Sequence, residues 1–168
     1  MLDFLQGFAY IAKELLQKDG FITPIMMWFH NRHPLIAPQL FVDFKECNAE
    51  DSKTRNAFAA GAFAKKLNAD LVIFVWDAAF RTINLKDQPN IKKEGMDATE
   101  APLTYPRSMR TECILINGIP LPDGKDEMIM IPYKGGEGEP VEFLPDTFKG
   151  LDFESRFTKL VREGWTVT

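Results

Sequence analysis

From Leu2 to Lys18 the apolar residues Leu5, Phe8, Ala9, Ala12, Leu15 and Leu16 fall three and four apart. That spacing makes a single apolar stripe, so the segment predicts an amphipathic helix, ended by Asp19-Gly20. The pattern then changes. Between Phe21 and His30, the residues Ile22, Ile25, Met26, Met27, Trp28 and Phe29 leave no polar face. This predicts a strand buried on both sides, with Pro24 tolerated near its start. Asn31-Arg32-His33-Pro34 reads as a turn into a second strand, about Leu35 to Phe44, and the two strands as an antiparallel hairpin.

A second helix is predicted over 49–67. Asn48 is a suitable N-cap, Glu50 and Asp51 sit near the positive end of the helix dipole, and Lys65 and Lys66 sit at the negative end. Its middle is mostly Ala, with Gly61 and two Phe, which suits a close approach to a sheet, and Asn68 can close it in the left-handed conformation. Leu71 to Trp76 is a short apolar strand. Strand, helix and strand of these lengths predict a βαβ unit, with strands 35–44 and 71–76 parallel.

Periodicity is lost from Asp77 to Ser108, a stretch holding Pro89, Pro102 and Pro106. It reads as one long irregular loop of the lid or binding-loop kind, the most mobile part of the chain, with Phe80 and Tyr105 as anchors. Regular alternation resumes at Met109–Ile116, Met128–Tyr133 and Val141–Leu144. The intervening turns, Asn117-Gly118 through Asp123-Gly124 and Gly135-Gly136-Glu137-Gly138, fit an antiparallel meander. A last helix opens at Asp152, carries Phe153, Phe157, Leu160 and Val161 on one face, and is expected to end before Gly164. The order is αββαβββα. The predicted fold class is α+β, a single domain over 1–168 with a mixed β-sheet and helices packed on it.

Composition adds limits rather than an identity. The 168 residues include 20 basic and 24 acidic side chains, and apolar residues make up 45%, as in ordinary globular domains. Eleven acidic and six basic residues lie in 112–168, so the final third is the acidic part. Duplex nucleic acid is an unexpected partner, because that affinity comes mainly from Lys and Arg replacing counterions. No apolar run approaches the roughly 18 residues of a membrane span, and the first residues lack the basic start of a secretory signal. Cys47 and Cys113 are too few for a disulfide framework and fit a reducing cytosol. A soluble, cytoplasmic protein is expected.

Catalytic signatures are scarce. The chain holds no Gly-rich dinucleotide or phosphate loop, no G-x-S-x-G, no H-E-x-x-H and no paired C-x-x-C. Its serines are Ser52, Ser108 and Ser155, none in a nucleophile elbow, and its histidines, His30 and His33, share one turn. Any histidine-dependent step must run through that turn. No cofactor is evident.

His30 and His33, followed by Pro34 and then Asp43, resemble a distorted JAMM metalloprotease motif, which would make both histidines metal ligands. An extra residue separates the histidines, the motif's serine is missing, and its upstream glutamate has no counterpart. Asp43-Phe44-Lys45 is similar to the D/E-x-K half of the PD-(D/E)xK nucleases, but residues 20–42 contain no carboxylate to complete it. Neither pattern assigns a family.

Topology brings a stronger candidate site together. If strands 35–44 and 71–76 are parallel neighbours, their carboxyl ends share the edge where open α/β sheets bind ligands. Asp43, Glu46 and Asp77 would meet there and could hold Mg²⁺ or Mn²⁺ or divide acid and base roles. Lys45 and Arg81 would face an anionic substrate. The competing use of such carboxylates is to cap helices or face water.

Cys47, before a helix start, could have a lowered thiol pKa, whereas Cys113 reads as core. Trp28 and Trp76 read as core, and Trp165, in a short polar tail, as a contact surface. Lys92, Lys93, Arg107 and Arg110, with Phe80 and Tyr105, give the long loop a mildly basic, aromatic character suited to a partner. The expected function is a non-enzymatic interaction or regulatory domain with a protein partner. The alternative is a metal-dependent hydrolase or phosphodiesterase at the Asp43–Glu46–Asp77 cluster.

Overall fold

The computed structural model describes residues 1–40, 49–80, 111–136, 138–145, 148–149 and 156–167. Among these are three helices, α1 (Leu2–Asp19), α2 (Ala49–Lys66) and α3 (Arg156–Val167). The strands are β1 (Ile25–His30), β2 (His33–Pro34), β3 (Gln39–Leu40), β4 (Leu71–Phe80), β5 (Thr111–Pro120), β6 (Glu127–Gly136), β7 (Glu139–Phe143) and β8 (Phe148–Lys149). They form one curled sheet in the order β2-β1-β4-β5-β6-β7, with β3 also on β1 and β8 also on β6.

The α+β class and helices packed on the sheet hold, but every pairing among the described residues is antiparallel, so the sheet is not mixed. The expected parallel neighbours are apart. β3 and β4 both run antiparallel to β1 and flank it, Leu40 and Val75 each facing Ile25. They point the same way with β1 between them, two inter-strand spacings or about 10 Å apart. The apolar run 71–76 arises because helices cover both faces of a central strand, a condition that does not require parallel neighbours.

Period-two alternation sorts the core. Leu71, Ile73 and Val75 join Leu5, Leu16 and Phe29 beneath α1. Val72, Phe74 and Trp76 join Trp28, Ala57 and Val161 beneath α2 and α3. Trp28 and Phe74 are almost fully buried, each worth about 1.5–3 kcal/mol relative to exposure. The Trp28 indole N–H donates to the Ala60 carbonyl oxygen at 2.9 Å.

The small residues of α2 serve two neighbours. Ala57, Ala60 and Ala64 pack in the sheet-side cluster, whereas Gly61 meets α3. A Cβ on Gly61 would lie 1.8 Å from the Val161 carbonyl oxygen, and one on Gly164 would lie 2.0 Å from that of Phe58. Gly164 is therefore inside α3 rather than beyond its end. Trp165 is also helical and half-buried against the same cluster, not a residue of a polar tail.

Several boundaries differ for physical reasons. Residues 21–24 are not strand, because Pro24 has no N–H for a ladder. Of the expected strand 35–44 only β3 is strand among the described residues, β2 falls on His33–Pro34 where the turn was expected, and 41–44 lie outside the described residues. β4 continues to Phe80, so residues 77–80 are strand and not loop; 81–108 lie outside the described residues, as do the caps Asn48 and Asp152. No described helix is long and apolar enough to cross a membrane.

Candidate functional site

β4 carries Asp77 at an odd position, on the face covered by α1. The β1–β4 ladder ends at the Ile25–Val75 pair, and Pro24 cannot extend it. A buried amide needs an acceptor, and the Asp77 carboxylate supplies one. Its Oδ2 accepts the Ile22 N–H at 3.0 Å, and its Oδ1 accepts the Tyr133 hydroxyl at 3.0 Å. The side chain thus joins the approach to β1, the middle of β4 and the far part of β6.

Glu112 completes the polar group. It stands opposite Ala79 on one side and Tyr133 on the other, which places it on the same face as Asp77 and diagonal to it. Burial pushes the Tyr133 hydroxyl far above its ordinary range, with the charge and hydrogen bond of Asp77 and the charge of Glu112 adding to the effect. Tyr133 is therefore a fixed hydrogen-bond donor at neutral pH, not a base. Cys113 is a buried free thiol whose pKa is pushed up to about 12, by burial first and then by the charges of Asp77 and Glu112. A thiol so protonated is a poor nucleophile.

Of the residues expected to form a carboxylate site, the structure places Asp77. Asp43, Lys45, Glu46, Arg81 and Cys47 lie outside the described residues. Asp77 is brought to Tyr133 and Glu112, two residues the sequence reading did not single out. Both sit on strands of the meander, and only register reveals their meeting. His30 and His33 form the closing pair of the β1–β2 hairpin, on the opposite face of the sheet from Asp77. Among the described residues no three His, Cys, Asp or Glu side chains converge on one point.

Beside Asp77 the same segment walls a cleft of about 450 Å³. Phe8, Ile11 and Leu15 of α1 form one side, and Phe21, Ile22 and Ile25 the other. Ile11 is 55% exposed, Leu15 43% and Phe21 58%. Asp19 and Thr23 are among its polar linings. Ile22 belongs to both features, since its N–H is held by Asp77 while the residue lines the cleft. A smaller cavity of about 370 Å³ lies on the other face, against Trp28, Leu40 and Phe63.

No protein-family model, curated protein or solved structure matches this chain.

Proposed function

We propose that this chain is a non-enzymatic interaction domain whose binding site is the cleft between α1 and the Phe21–Ile25 segment. The carrying observation is that Ile11, Leu15 and Phe21, three large apolar side chains, stand exposed around one concavity. Scattered exposed apolar residues are ordinary, but a contiguous apolar patch with a concave centre marks a recognition surface. The stripe Phe8–Leu15 runs about 10 Å along the helix axis, which suits two or three apolar anchors of a peptide segment from a partner protein. Asp19 favours a basic group at one end of that segment. Cytoplasmic placement belongs to the same proposal and is supported by a cysteine count, Cys47 and Cys113, too low for a disulfide framework.

Selection of a displayed random-peptide library on the wild-type chain, with counter-selection on Leu15→Asp, tests this. Enriched peptides should carry paired apolar anchors and lose binding to Leu15→Asp. Peptides that bind both forms equally, or no enrichment at all, would overturn the proposal.

A second reading, a metal-dependent hydrolase or phosphodiesterase, is favoured by one observation. Asp77 and Glu112 share a face as diagonal neighbours, a spacing from which two carboxylates can hold Mg²⁺ or Mn²⁺ directly or through water. The tether of both Asp77 oxygens to Ile22 and Tyr133 favours the interaction domain over it. Millimolar Mn²⁺ should raise the melting temperature of wild type but not of Glu112→Gln if the second reading is right. A wild-type midpoint indifferent to Mn²⁺ sinks it.

A further inference from the structure

We propose that the β1–β2 hairpin is a two-imidazole site for a late first-row divalent cation, Zn²⁺ above all, held by His30 and His33. The hairpin turns on Asn31-Arg32, whose φ angles of 50° and 65° are both positive. Two such residues are what a two-residue type I′ connection requires. The turn sets His30 directly opposite His33. Directly opposed residues of a ladder project to one face with Cβ atoms about 4.5–5.5 Å apart. Met26 and Trp28 of β1 belong to the cluster under α2, so His30, and His33 with it, stands on that face.

One ring is already oriented. His30 Nδ1 lies 2.9 Å from the Asn68 carbonyl oxygen. A carbonyl oxygen can only accept, so Nδ1 carries the proton and the lone pair of the neutral ring is at Nε2. Metal-bound imidazoles commonly donate their other N–H to a carbonyl or carboxylate in this way, which fixes tautomer and orientation. Asp70 supports the arrangement. Its Oδ2 lies 3.7 Å from the same Nδ1 and accepts the Asn31 N–H at 2.8 Å.

The turn is held in spite of its own cost. A non-glycine residue such as Arg32 in the left-handed region is strained. The Asn31–Asp70 bond opposes that strain, as does the Arg32 guanidinium, 5.9 Å from the centre of the Phe4 ring. The two histidines therefore need little ordering to act together.

The chain supplies two nitrogens and water completes the shell. Neutral imidazoles select Zn²⁺, Ni²⁺ and Cu²⁺, with Zn–N distances of about 2.0–2.1 Å, over the oxygen-seeking Mg²⁺ and Mn²⁺. This site is separate from the Asp77 cluster in both position and ion preference, and it does not rest on the interaction-domain proposal.

Calorimetric titration of the full chain with ZnCl₂, and with MgCl₂ as control, tests the assignment on wild type, His30→Gln, His33→Gln and Asp70→Asn. Wild type should take up one Zn²⁺ at this site and show no comparable heat with Mg²⁺. His33 is exposed, so His33→Gln should keep the metal-free melting temperature while Zn²⁺ affinity falls at least about tenfold. Asp70→Asn should also weaken Zn²⁺, because Asp70 is a positioning residue for the His30 ring. Zn²⁺ uptake unchanged by His33→Gln, or none by wild type at millimolar Zn²⁺, would overturn the proposal. Should His30→Gln fail to fold, the His33→Gln comparison decides alone.

Discussion

Gly61 of α2 lies so close to Val161 of α3 that a Cβ added there would sit 1.8 Å from the Val161 carbonyl oxygen. Gly164 returns the contact from α3, against the carbonyl of Phe58. The obstacle in each case is backbone, which cannot rotate aside. Gly61→Ala should therefore destabilise the protein by about 1–3 kcal/mol through helix separation, outweighing the gain in helix propensity. Gly7→Ala is the control. Nothing lies within 4 Å of its added Cβ, so it should stabilise α1 by about 0.5–1 kcal/mol. Chemical denaturation midpoints of the two variants should move in opposite directions.

The Asp77–Tyr133 pair should be worth more than a neutral hydrogen bond. Tyr133→Phe is expected to cost about 1.5–3 kcal/mol, the range for a bond to a charged group. Asp77→Ala should cost more, because it also leaves the Ile22 N–H without this acceptor. A double-mutant cycle by urea denaturation should return a coupling of the same sign. Purely additive losses would show that the two side chains act independently.

Alkaline pH should weaken the fold through Cys113 and Tyr133. In the unfolded chain Cys113 ionises near its ordinary value of 9.0, but in the fold only near about 12. Below pH 9 both states keep the proton, so the full stabilisation is present. Between pH 9 and about 12 the unfolded state releases its proton first, and stability declines with rising pH. The raised Tyr133 hydroxyl acts with the same sign. Stability measured from pH 7 to 11 should fall less steeply in Cys113→Ala and in Tyr133→Phe than in wild type.

Asp126 is buried, with its side chain only 5% exposed, and Arg162 of α3 reaches it at 2.8 Å. The same guanidinium bonds the Gly124 carbonyl oxygen at 2.6 Å, and the Thr158 hydroxyl donates to the other Asp126 oxygen. This network fastens α3 to the β5–β6 turn. Arg162→Met would remove the guanidinium held against a buried carboxylate, at a cost of about 3–5 kcal/mol. Asp126→Leu combined with Arg162→Met should recover much of that loss. Thermal melts of the single and double variants provide the comparison.

Exposed residues of the cleft should separate binding from stability. Leu15→Asp and Ile11→Asp are expected to stay within about 0.5 kcal/mol of wild type, as surface substitutions generally do. Both should lose the peptides selected on wild type. A large drop in melting temperature would instead identify these side chains as core.

The sequence by itself determined the local structure: α1 from its three-and-four spacing, an antiparallel hairpin after β1, α2 with its closing Asn68, and the meander. These follow from helix and strand periods, which steric rules within a few residues impose. Tertiary structure decided who stands beside whom. Leu71–Trp76 is apolar on both faces because helices cover both sides of it, and that pattern is the same whether its neighbours are parallel or antiparallel. Asp77 meets Tyr133, and Gly61 meets Val161, only after distant segments have docked. Their partners are chosen by the packing of whole elements, and no short-range pattern in the chain encodes that choice.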